Sequence, residues 1–299
     1  MCGIVGLLVK KPELKAQLGA LMLPMLIGMG ERGPDSAGLA VFGDALPAAA
    51  GRRYSLHAPE WNFDWAACVA ALNRALARPV EFTAKGNHAI LIATDDPQKV
   101  AAAVAESFPA LHLLSVGRSI AVYKDVGHPA AVAERYAFQS LTGTHLVGHT
   151  RMATESAVTP AHAHPFTAGE DFCLVHNGSL SNPYSIRRKL EPLGIRFETD
   201  NDTEAACRYL EWRMREGDNL ETALESSFRE LDGFYTFLIG TGDSLALVRD
   251  PFACKPAVVA ETDDYVAIAS EFRSLAKLPG VKHANLFEPL PEQLYVWKS

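Results

Sequence analysis

The sequence predicts an α+β protein in which stacked β-sheets are covered by helices. Short apolar runs typical of strands open the chain, recur after residue 144 and fill its final third. Only a few segments show the helical spacing of apolar residues, and two of these follow each other directly. Because every sheet and helix buries an apolar face against another layer, many short strands beside a few helices favour layered sheets with helices outside.

The composition is that of an ordinary globular protein. The chain has 299 residues, of which 48% are hydrophobic and 21% charged, and its formal net charge is −7. An acidic chain argues against a nucleic-acid surface as the main function. The longest apolar run, LGALMLPMLIGMG, contains Pro24 and is shorter than the roughly 18 residues of a membrane span. We therefore expect no nucleic-acid partner and no membrane partner.

The cysteine pattern favours a reducing compartment. The number of cysteines is odd, the residues are widely scattered, and no CxxC pair occurs among Cys2, Cys68, Cys173, Cys207 and Cys254. This pattern argues against both a disulfide framework and a zinc site. We predict a cytoplasmic protein without a metal site, in which the four cysteines after Cys2 belong to the core.

The first part of the chain alternates between apolar runs and turn signals. The run after Cys2 predicts a strand, and helical spacing predicts a helix over residues 13–29. The Gly, Pro and Asp content of residues 31–38 predicts a turn, followed by a strand over residues 39–42. Residues 43–53 have the composition of a loop.

Between residues 54 and 138 the pattern changes to alternating helices and strands, which predicts a small inserted α/β module. FDWAACVAALNRALA and HPAAVAERYAF predict helices, and DPQKVAAAVAESF predicts a helix opened by an acidic cap and a proline. HAILIATD predicts a strand, and LHLLSVGRSIAVYKD predicts a hairpin.

The remainder is dominated by strands. THLVGHTRMAT and DFCLVHNGSLS predict two strands, which precede helices at DNDTEAACRYLEWRMREG and NLETALESSFREL. Further strands follow at FYTFLIGTG, SLALVRD, AVVAET, YVAIASE and QLYVWKS.

A thiol at the second position, directly before a strand, has two interpretations. Cys2 is either a small buried residue at the start of the strand or the first residue of the mature chain after removal of Met1. A small second residue permits that removal. The first basic residue, Lys10, follows the apolar run, so the segment is not a secretory signal.

Four polar motifs stand at or near the ends of apolar runs: RGPDSAG, GHTRMAT, HNGSLSN and TDNDTE. Each also has a structural interpretation when taken alone. Arg32 and Asp35 could form a local ion pair in a turn, and HNG could be a tight turn. Arg151 could be a surface charge on an edge strand, and Asp202 could be a helix N-cap.

Taken together and in order, CGI, RGxDSAG, GHTRxAT, HNG and DTE resemble the class II glutamine amidotransferases, whose nucleophile is the N-terminal residue. The resemblance implies a four-layer αββα N-terminal-nucleophile hydrolase sandwich. It makes residues 1–299 a type 2 glutamine amidotransferase domain with the 54–138 module inserted in it. Two features depart from the glucosamine-6-phosphate synthase relatives: Met152 stands where they have tryptophan, and the separation of Arg32 from Arg151 is much longer.

The resemblance also implies roles for residues. Cys2 would be the nucleophile, with its own α-amine as the base, whose reference pKa is about 7.7–8.0. Asn177 and Gly178 would stabilise the oxyanion. The remaining residues would bind substrate: Arg151 the α-carboxylate, Asp202 the α-ammonium, and beside them Arg32, Gly33, Thr154 and His176. No cofactor and no metal are expected.

The expected reaction is hydrolysis of the L-glutamine side-chain amide through a Cys2 thioester. The chain ends at Ser299 without a recognisable phosphate loop or flavin, iron–sulfur or nucleotide site. We therefore expect the ammonia to be used by separate synthase subunits, in a hetero-oligomer that resembles glutamate synthase or N-methylglutamate synthase, whose partners carry flavin or iron–sulfur groups. Two alternatives stay open: a stand-alone hydrolase of a γ-glutamyl amide, and a non-catalytic regulatory subunit on the same fold.

Overall fold

The computed structural model describes residues 2–153 and 157–299. Its strands, in chain order, are β1 Gly3–Val9, β2 Ser36–Phe42, β3 Arg52–His57, β4 Glu81–Lys85, β5 His88–Ala93, β6 His112–Gly117, β7 Ile120–Val126, β8 His145–Arg151, β9 Phe166–Thr167, β10 Phe172–Leu180, β11 Gly233–Thr241, β12 Ser244–Arg249, β13 Val258–Glu261, β14 Tyr265–Ala269, β15 Asn285–Phe287 and β16 Leu294–Lys298. The α-helices are α1 Leu18–Gly28, α2 Trp65–Ala75, α3 Pro97–Ser107, α4 Pro129–Arg135, α5 Pro183–Leu190, α6 Asp202–Arg215, α7 Leu220–Glu230 and α8 Phe272–Leu275. None of these helices has the length and apolarity that crossing a bilayer requires.

Two large sheets form the centre of the molecule. The first has the strand order β15-β13-β14-β1-β8-β2-β7, and the second has the order β16-β12-β11-β10-β9. β1 is an interior strand, antiparallel to β14 on one side and to β8 on the other. All seven of its residues are buried, which explains its continuous apolar sequence, GIVGLLV.

Three apolar cores separate four layers. One core lies between the two sheets and is built from β1, β2 and β8 on one side and β10, β11 and β12 on the other. A second core joins the outer face of the first sheet to α1, α4 and α8. A third joins the outer face of the second sheet to α5, α6 and α7. The predicted four-layer αββα arrangement is therefore confirmed.

A third, four-stranded sheet with the order β4-β5-β3-β6 lies between β2 and β7 in the chain. Its core is shared with α2 and α3. Ser55 connects it to the first sheet, because its Oγ accepts hydrogen bonds from the backbone N–H of Val122 at 2.9 Å and from the Ser115 hydroxyl at 2.8 Å. The assignment of residues 54–138 as a module remains a prediction.

Several local predictions differ from the structure. The predicted hairpin is wrong, because β6 pairs with β3 while β7 pairs with β2 in another sheet. The first turns of the predicted 13–29 helix are a 3-10 helix over Pro12–Gln17, where proline stands in the first turn. β2 begins earlier than expected, because Ser36 already pairs with Arg151. Cys254 was predicted to belong to the core and is exposed.

Asp171 fastens the β6–β7 turn to the second sheet. Its carboxylate accepts hydrogen bonds from the backbone N–H groups of Arg118, Ser119 and Ile120 at 2.8–2.9 Å. A Cβ atom at Gly117 would lie 2.2 Å from Asp171 Oδ1, so the turn needs glycine at that position. One side chain thus joins the first and third sheets to the start of β10.

We expect Asp171→Asn to lower the free energy of unfolding by about 1.5–3 kcal/mol, the usual contribution of hydrogen bonds to a charged acceptor. The amide has one acceptor oxygen and would present an NH2 group to a backbone N–H. Urea unfolding measures the change. Asp64→Asn is the control, because Asp64 caps α2 by accepting from Ala67 N and asparagine caps equally well. Equal losses in the two variants would contradict the role of Asp171.

Candidate active site

Cys2 directly precedes β1, so its thiol lies at the end of the first sheet where β1 begins. Gly3 pairs with Thr150 across the β1–β8 ladder, which brings Cys2 beside the end of β8. The Cys2 Sγ lies 3.8 Å from the backbone carbonyl oxygen of Met152. The thiol is partly exposed, whereas Cys68, Cys173 and Cys207 are buried.

The backbone at Cys2 is held from the opposite side by Arg32. The Arg32 Nε donates to the Cys2 carbonyl oxygen at 3.0 Å, and its Nη1 donates to Glu271 Oε1 at 2.6 Å. Next along the chain, the Ile4 N–H donates to the Ser270 hydroxyl at 2.9 Å. Arg32 therefore pairs with Glu271, and the local Arg32–Asp35 ion pair considered above is wrong.

The turn before β2 packs directly on the end of β8. A Cβ atom at Gly33 would lie 2.3 Å from the carbonyl carbon of Thr150 and 2.6 Å from the backbone nitrogen of Arg151. Glycine is needed there because two backbones touch. Asp35 then holds the backbone at the end of β8 and just beyond it. Its N–H donates to the Arg151 carbonyl at 3.0 Å, and its Oδ2 accepts from the Ala153 N–H at 2.8 Å.

Arg151 ends β8, between β1 and β2, and is 5% exposed. The interpretation of Arg151 as a surface charge on an edge strand is therefore wrong. Its Nη1 donates to the Ala157 carbonyl oxygen at 3.0 Å. Burial lowers the pKa of the Arg151 guanidinium, and the nearby Cys2, Asp35, Asp200 and Asp202 act in the opposite direction. Met152 lies beside it and is 45% exposed.

The HNG motif lies inside β10 rather than in a tight turn. The Asn177 side chain is buried, and its Nδ2 has no hydrogen-bond partner among the described residues. Gly178 has φ +149°, and a Cβ atom there would lie 1.9 Å from the Phe234 carbonyl oxygen. A buried amide nitrogen without a partner is costly, so Asn177 is an unusual feature of this strand.

Asp202 is the first residue of α6, and Asn201 is the N-cap, with its side chain accepting from Thr203 N. The N-cap interpretation of Asp202 is therefore wrong. Asp202 Oδ2 accepts from the Leu180 N–H at 2.8 Å, and Oδ1 lies 3.6 Å from His176 Nδ1. Burial alone would raise the pKa of Asp202, but His176 and the backbone N–H donors lower it to about 2. The carboxylate is charged at neutral pH.

Three histidines form a connected group beside the Asp202 carboxylate. His149 and His164 stack at a ring distance of 4.1 Å, and His149 Nε2 lies 3.0 Å from the His176 carbonyl oxygen. The Thr203 hydroxyl lies 2.8 Å from His164 Nε2 and 3.1 Å from His176 Nδ1. Burial lowers the pKa of His149 to about 3 and that of His164 well below its usual value, so both rings are neutral at pH 7.

Several of these residues line one cavity of about 410 Å³. It brings together five of the predicted site residues: Cys2, Arg151, His176, Gly178 and Asp202. Three other predicted residues do not line it. Arg32 donates to the Cys2 carbonyl, Gly33 packs against Thr150, and Asn177 is buried in β10. Thr154 lies outside the described residues. The cavity also has lining residues that the sequence analysis did not select: Met152, His164, Ser179, Leu180, Ser181, Pro183, Tyr184, Asp200, Asn201 and Thr203.

The residues that sequence analysis missed differ in the signal they carry. Asp35 belongs to the RGPDSAG motif and could have been selected from it. Thr203 likewise belongs to the TDNDTE motif, whereas His164 stands outside all the motifs and reaches the site only through folding. No group of His, Cys, Asp and Glu side chains within residues 2–153 and 157–299 is arranged to hold a metal ion.

The surroundings of Cys2 set the state of its thiol. Burial raises the pKa of the Cys2 thiol, while the positive charges of Arg151 and Arg32 lower it. The first effect is the larger, so the thiol holds its proton at neutral pH. A thiol in that state needs a base beside it to become a nucleophile.

Comparison with known proteins places this chain in a family. A family model described as "Glutamine amidotransferase domain" matches residues 149–277. The chain is 48% identical over 301 residues to "Glutamine amidotransferase-like protein GlxB" of Rhizobium meliloti (strain 1021), covering 99% of this chain and 98% of that protein. The chain belongs to the glutamine amidotransferase family. A putative glutamine amidotransferase of Methanothermobacter thermautotrophicus is 33% identical over 304 residues and is covered to 99%, as is this chain.

The fold is also that of a solved amidotransferase. Glutamine phosphoribosylpyrophosphate amidotransferase from B. subtilis superposes with a TM-score of 0.64 at 18% identity. The match covers 100% of this chain and 47% of that chain. At this identity the likeness establishes the fold, and it confirms the predicted N-terminal-nucleophile hydrolase architecture.

We expect Gly178→Ala to destabilise the protein more than Gly194→Ala. Both glycines have positive φ, +149° and +82°, so both alanine variants pay about 1–2 kcal/mol of backbone strain. Only the Gly178 variant also forces a methyl group against the Phe234 carbonyl, since nothing lies within 4 Å of a Cβ at Gly194. Urea unfolding should show an additional loss of about 1–3 kcal/mol for Gly178→Ala. Equal losses would mean that β10 shifts freely away from β11.

Proposed function

We propose that this chain is a glutaminase that hydrolyses the side-chain amide of L-glutamine through a thioester on Cys2 and supplies the ammonia to a separate synthase subunit. One observation carries the proposal. A single cavity brings the Cys2 thiol together with a buried arginine, Arg151, a charged carboxylate, Asp202, and the glycine of the HNG motif, Gly178. This set matches the charges and the reacting group of glutamine.

In the proposed mechanism Met1 is removed and the freed α-amine of Cys2 is the base. The amine takes the proton of the thiol, whose pKa is raised by burial, and the thiolate attacks the amide carbon. The tetrahedral intermediate expels ammonia, which leaves with the proton from the amine, and a thioester remains. Water, deprotonated by the same amine, then attacks the thioester, and glutamate and the free thiol are released.

The negative charge of the tetrahedral intermediate needs donors that are already in place. We assign these donors to the Asn177 side-chain amide and the Gly178 backbone N–H. The support is the buried Asn177 Nδ2 without a partner and the tight packing of Gly178 against Phe234, which fixes this part of β10.

The amino-acid head group has a positive and a negative end. We assign its α-carboxylate to Arg151, whose guanidinium suits two parallel hydrogen bonds to a carboxylate. We assign its α-ammonium to Asp202, whose low pKa keeps it charged. Arg32 and Gly33 contribute by fixing the backbone of Cys2 and Thr150.

The partner is proposed from the chemistry of the product. Amidotransferases deliver ammonia to an acceptor, and we propose an acceptor subunit of the glutamate-synthase or N-methylglutamate-synthase kind, carrying flavin or iron–sulfur groups. The support is the full-length similarity to proteins named as glutamine amidotransferases.

A second substrate class is favoured by the shape of the cavity. The lining of the cavity also includes Ser181, Pro183 and Tyr184, at or just before the start of α5. We propose that these residues take a substituent on the amide nitrogen, as in a γ-glutamyl amide. Such a substrate would use the same nucleophile and the same head-group contacts.

The test measures glutamate and ammonia released from glutamine by the purified chain, alone and with its co-purified partners, beside a γ-glutamyl anilide. We expect intact mass to show loss of Met1 and Cys2→Ser to abolish turnover. Cys254→Ser should leave turnover unchanged, since that thiol is exposed and outside the cavity lining. Full activity of a chain that retains Met1 would contradict the mechanism, because the base would then be a peptide nitrogen.

We expect Asp202→Asn to lower kcat/KM for glutamine far more than for glutaramic acid, which lacks the α-ammonium. Removing one partner of a desolvated charge pair typically costs about 2–5 kcal/mol, and glutaramic acid has no ammonium to leave unpaired. Asp200→Asn is the control, because Asp200 also lines the cavity but pairs with His162 at 2.8 Å. It should affect both substrates alike. The same loss for both substrates with Asp202→Asn would assign Asp202 to the support of α6.

A further inference from the structure

The segment 157–165, which leads from the arginine end of the cavity to β9, has no helix or strand. It nevertheless contacts Arg151 directly, and it contacts two residues that lie close to Asp202 in the chain. The Ala157 carbonyl accepts from Arg151 Nη1, and His162 Nε2 lies 2.8 Å from Asp200 Oδ1. His164 Nε2 lies 2.8 Å from Thr203 Oγ1, next to Asp202. The shape of the segment therefore bears on both ends of the head-group site.

Lys124 holds this segment from the first sheet. It lies on β7, opposite Gly38, and is 5% exposed. Its Nζ donates to three carbonyl oxygens of the segment: Ala161 at 3.3 Å, Ala163 at 2.8 Å and Pro165 at 3.3 Å. These carbonyls belong to every second residue from 161 to 165, so one ammonium group holds a stretch of five residues.

Burying an ammonium group costs free energy, because the charge loses its contact with water. Its hydrogen-bond acceptors in the described part of the chain are backbone carbonyls rather than a carboxylate. Burial lowers the pKa of Lys124 to about 8, with Glu198 and Glu204 acting in the opposite direction. The side chain therefore remains mainly protonated at pH 7. A charge kept in the interior at this cost is best explained by the three carbonyls that it orders.

The segment also lies in direct contact with the strand beneath it. A Cβ atom at Gly38 would lie 2.3 Å from the His164 carbonyl oxygen and 2.4 Å from Lys124 Cβ. The backbone of the segment thus crosses β2 at Gly38, the one residue of that strand without a side chain. Gly38 and Lys124 together define where the segment sits.

We propose that Lys124 is a positioning residue for the substrate: it fixes segment 157–165, and through that segment it sets the placement of Arg151 and Asp202 for the amino-acid head group. The inference rests on the proposed function, since it assigns the head-group site to glutamine. Lys124 does not line the main cavity and has no part in the chemical step.

The experiment measures L-glutamine binding by calorimetry in a Cys2→Ala background, where no turnover interferes. We expect Lys124→Met to raise the Kd at least about tenfold, as expected when hydrogen bonds to a charged group no longer hold the binding conformation. Lys85→Met is the matched control. Lys85 is half-buried and donates to one backbone carbonyl, that of Tyr136 at 3.2 Å, but belongs to the third sheet. It should leave the Kd unchanged.

The outcomes separate the two proposals. If the Cys2→Ala chain does not bind glutamine, the proposed function fails. If it binds glutamine and Lys124→Met binds equally well, the role of Lys124 is wrong while the function stands. A lower stoichiometry with an unchanged Kd would likewise overturn the inference, because it reports partial misfolding. Lys124→Gln, which retains an N–H donor, is the second variant if Lys124→Met does not fold; loss of folding in both would assign Lys124 to stability and overturn its positioning role.

Discussion

The site depends on the pairing of β1 with β8 and β14. An interior strand with neighbours on both sides has its backbone fixed along its whole length, and here that strand begins directly after Cys2. Arg32 and Ser270 then hold the two residues at its start, Cys2 and Ile4. A free chain terminus is usually mobile. In this fold the residues from Cys2 onward are held by the sheet and its contacts, which is what the proposed nucleophile requires.

The two large sheets contribute different residues to the site. The first sheet supplies Cys2 and Arg151 from adjacent strands, and the second supplies Asn177 and Gly178 from β10. Asp202 joins the two ends of the site, because its carboxylate accepts from the Leu180 N–H at the end of β10 while it lies at the start of α6. The outer helix layer and the inner sheet are thereby coupled at the point where the proposed head group would lie.

Much of this site could be predicted from the sequence because its residues stand in short motifs at strand ends. Through the resemblance they carry, the motifs selected Cys2, Arg151, His176, Gly178 and Asp202, and the structure brings these five residues into one cavity. The four-layer fold followed from the same resemblance. Lys124, by contrast, occurs in a run that predicts only a strand, and nothing local indicates that its ammonium lies under a segment forty residues later. The hairpin prediction failed for a related reason: the β6–β7 turn resembles any tight turn, whereas Asp171, fifty residues away, directs its two strands into different sheets.

The pairing of β1 with β14 also has a consequence for biosynthesis. Val5 lies opposite Ala269, so β1 gains its β14 neighbour only after a segment far along the chain has been translated. Contacts this far apart in sequence form late, because a long loop must close before they can add stability. The pocket around the thiol cannot be assembled on a nascent chain that is still emerging. Cys2 thus stays outside its finished surroundings until β14 has been made, which would give the proposed removal of Met1 a period in which this part of the chain is accessible.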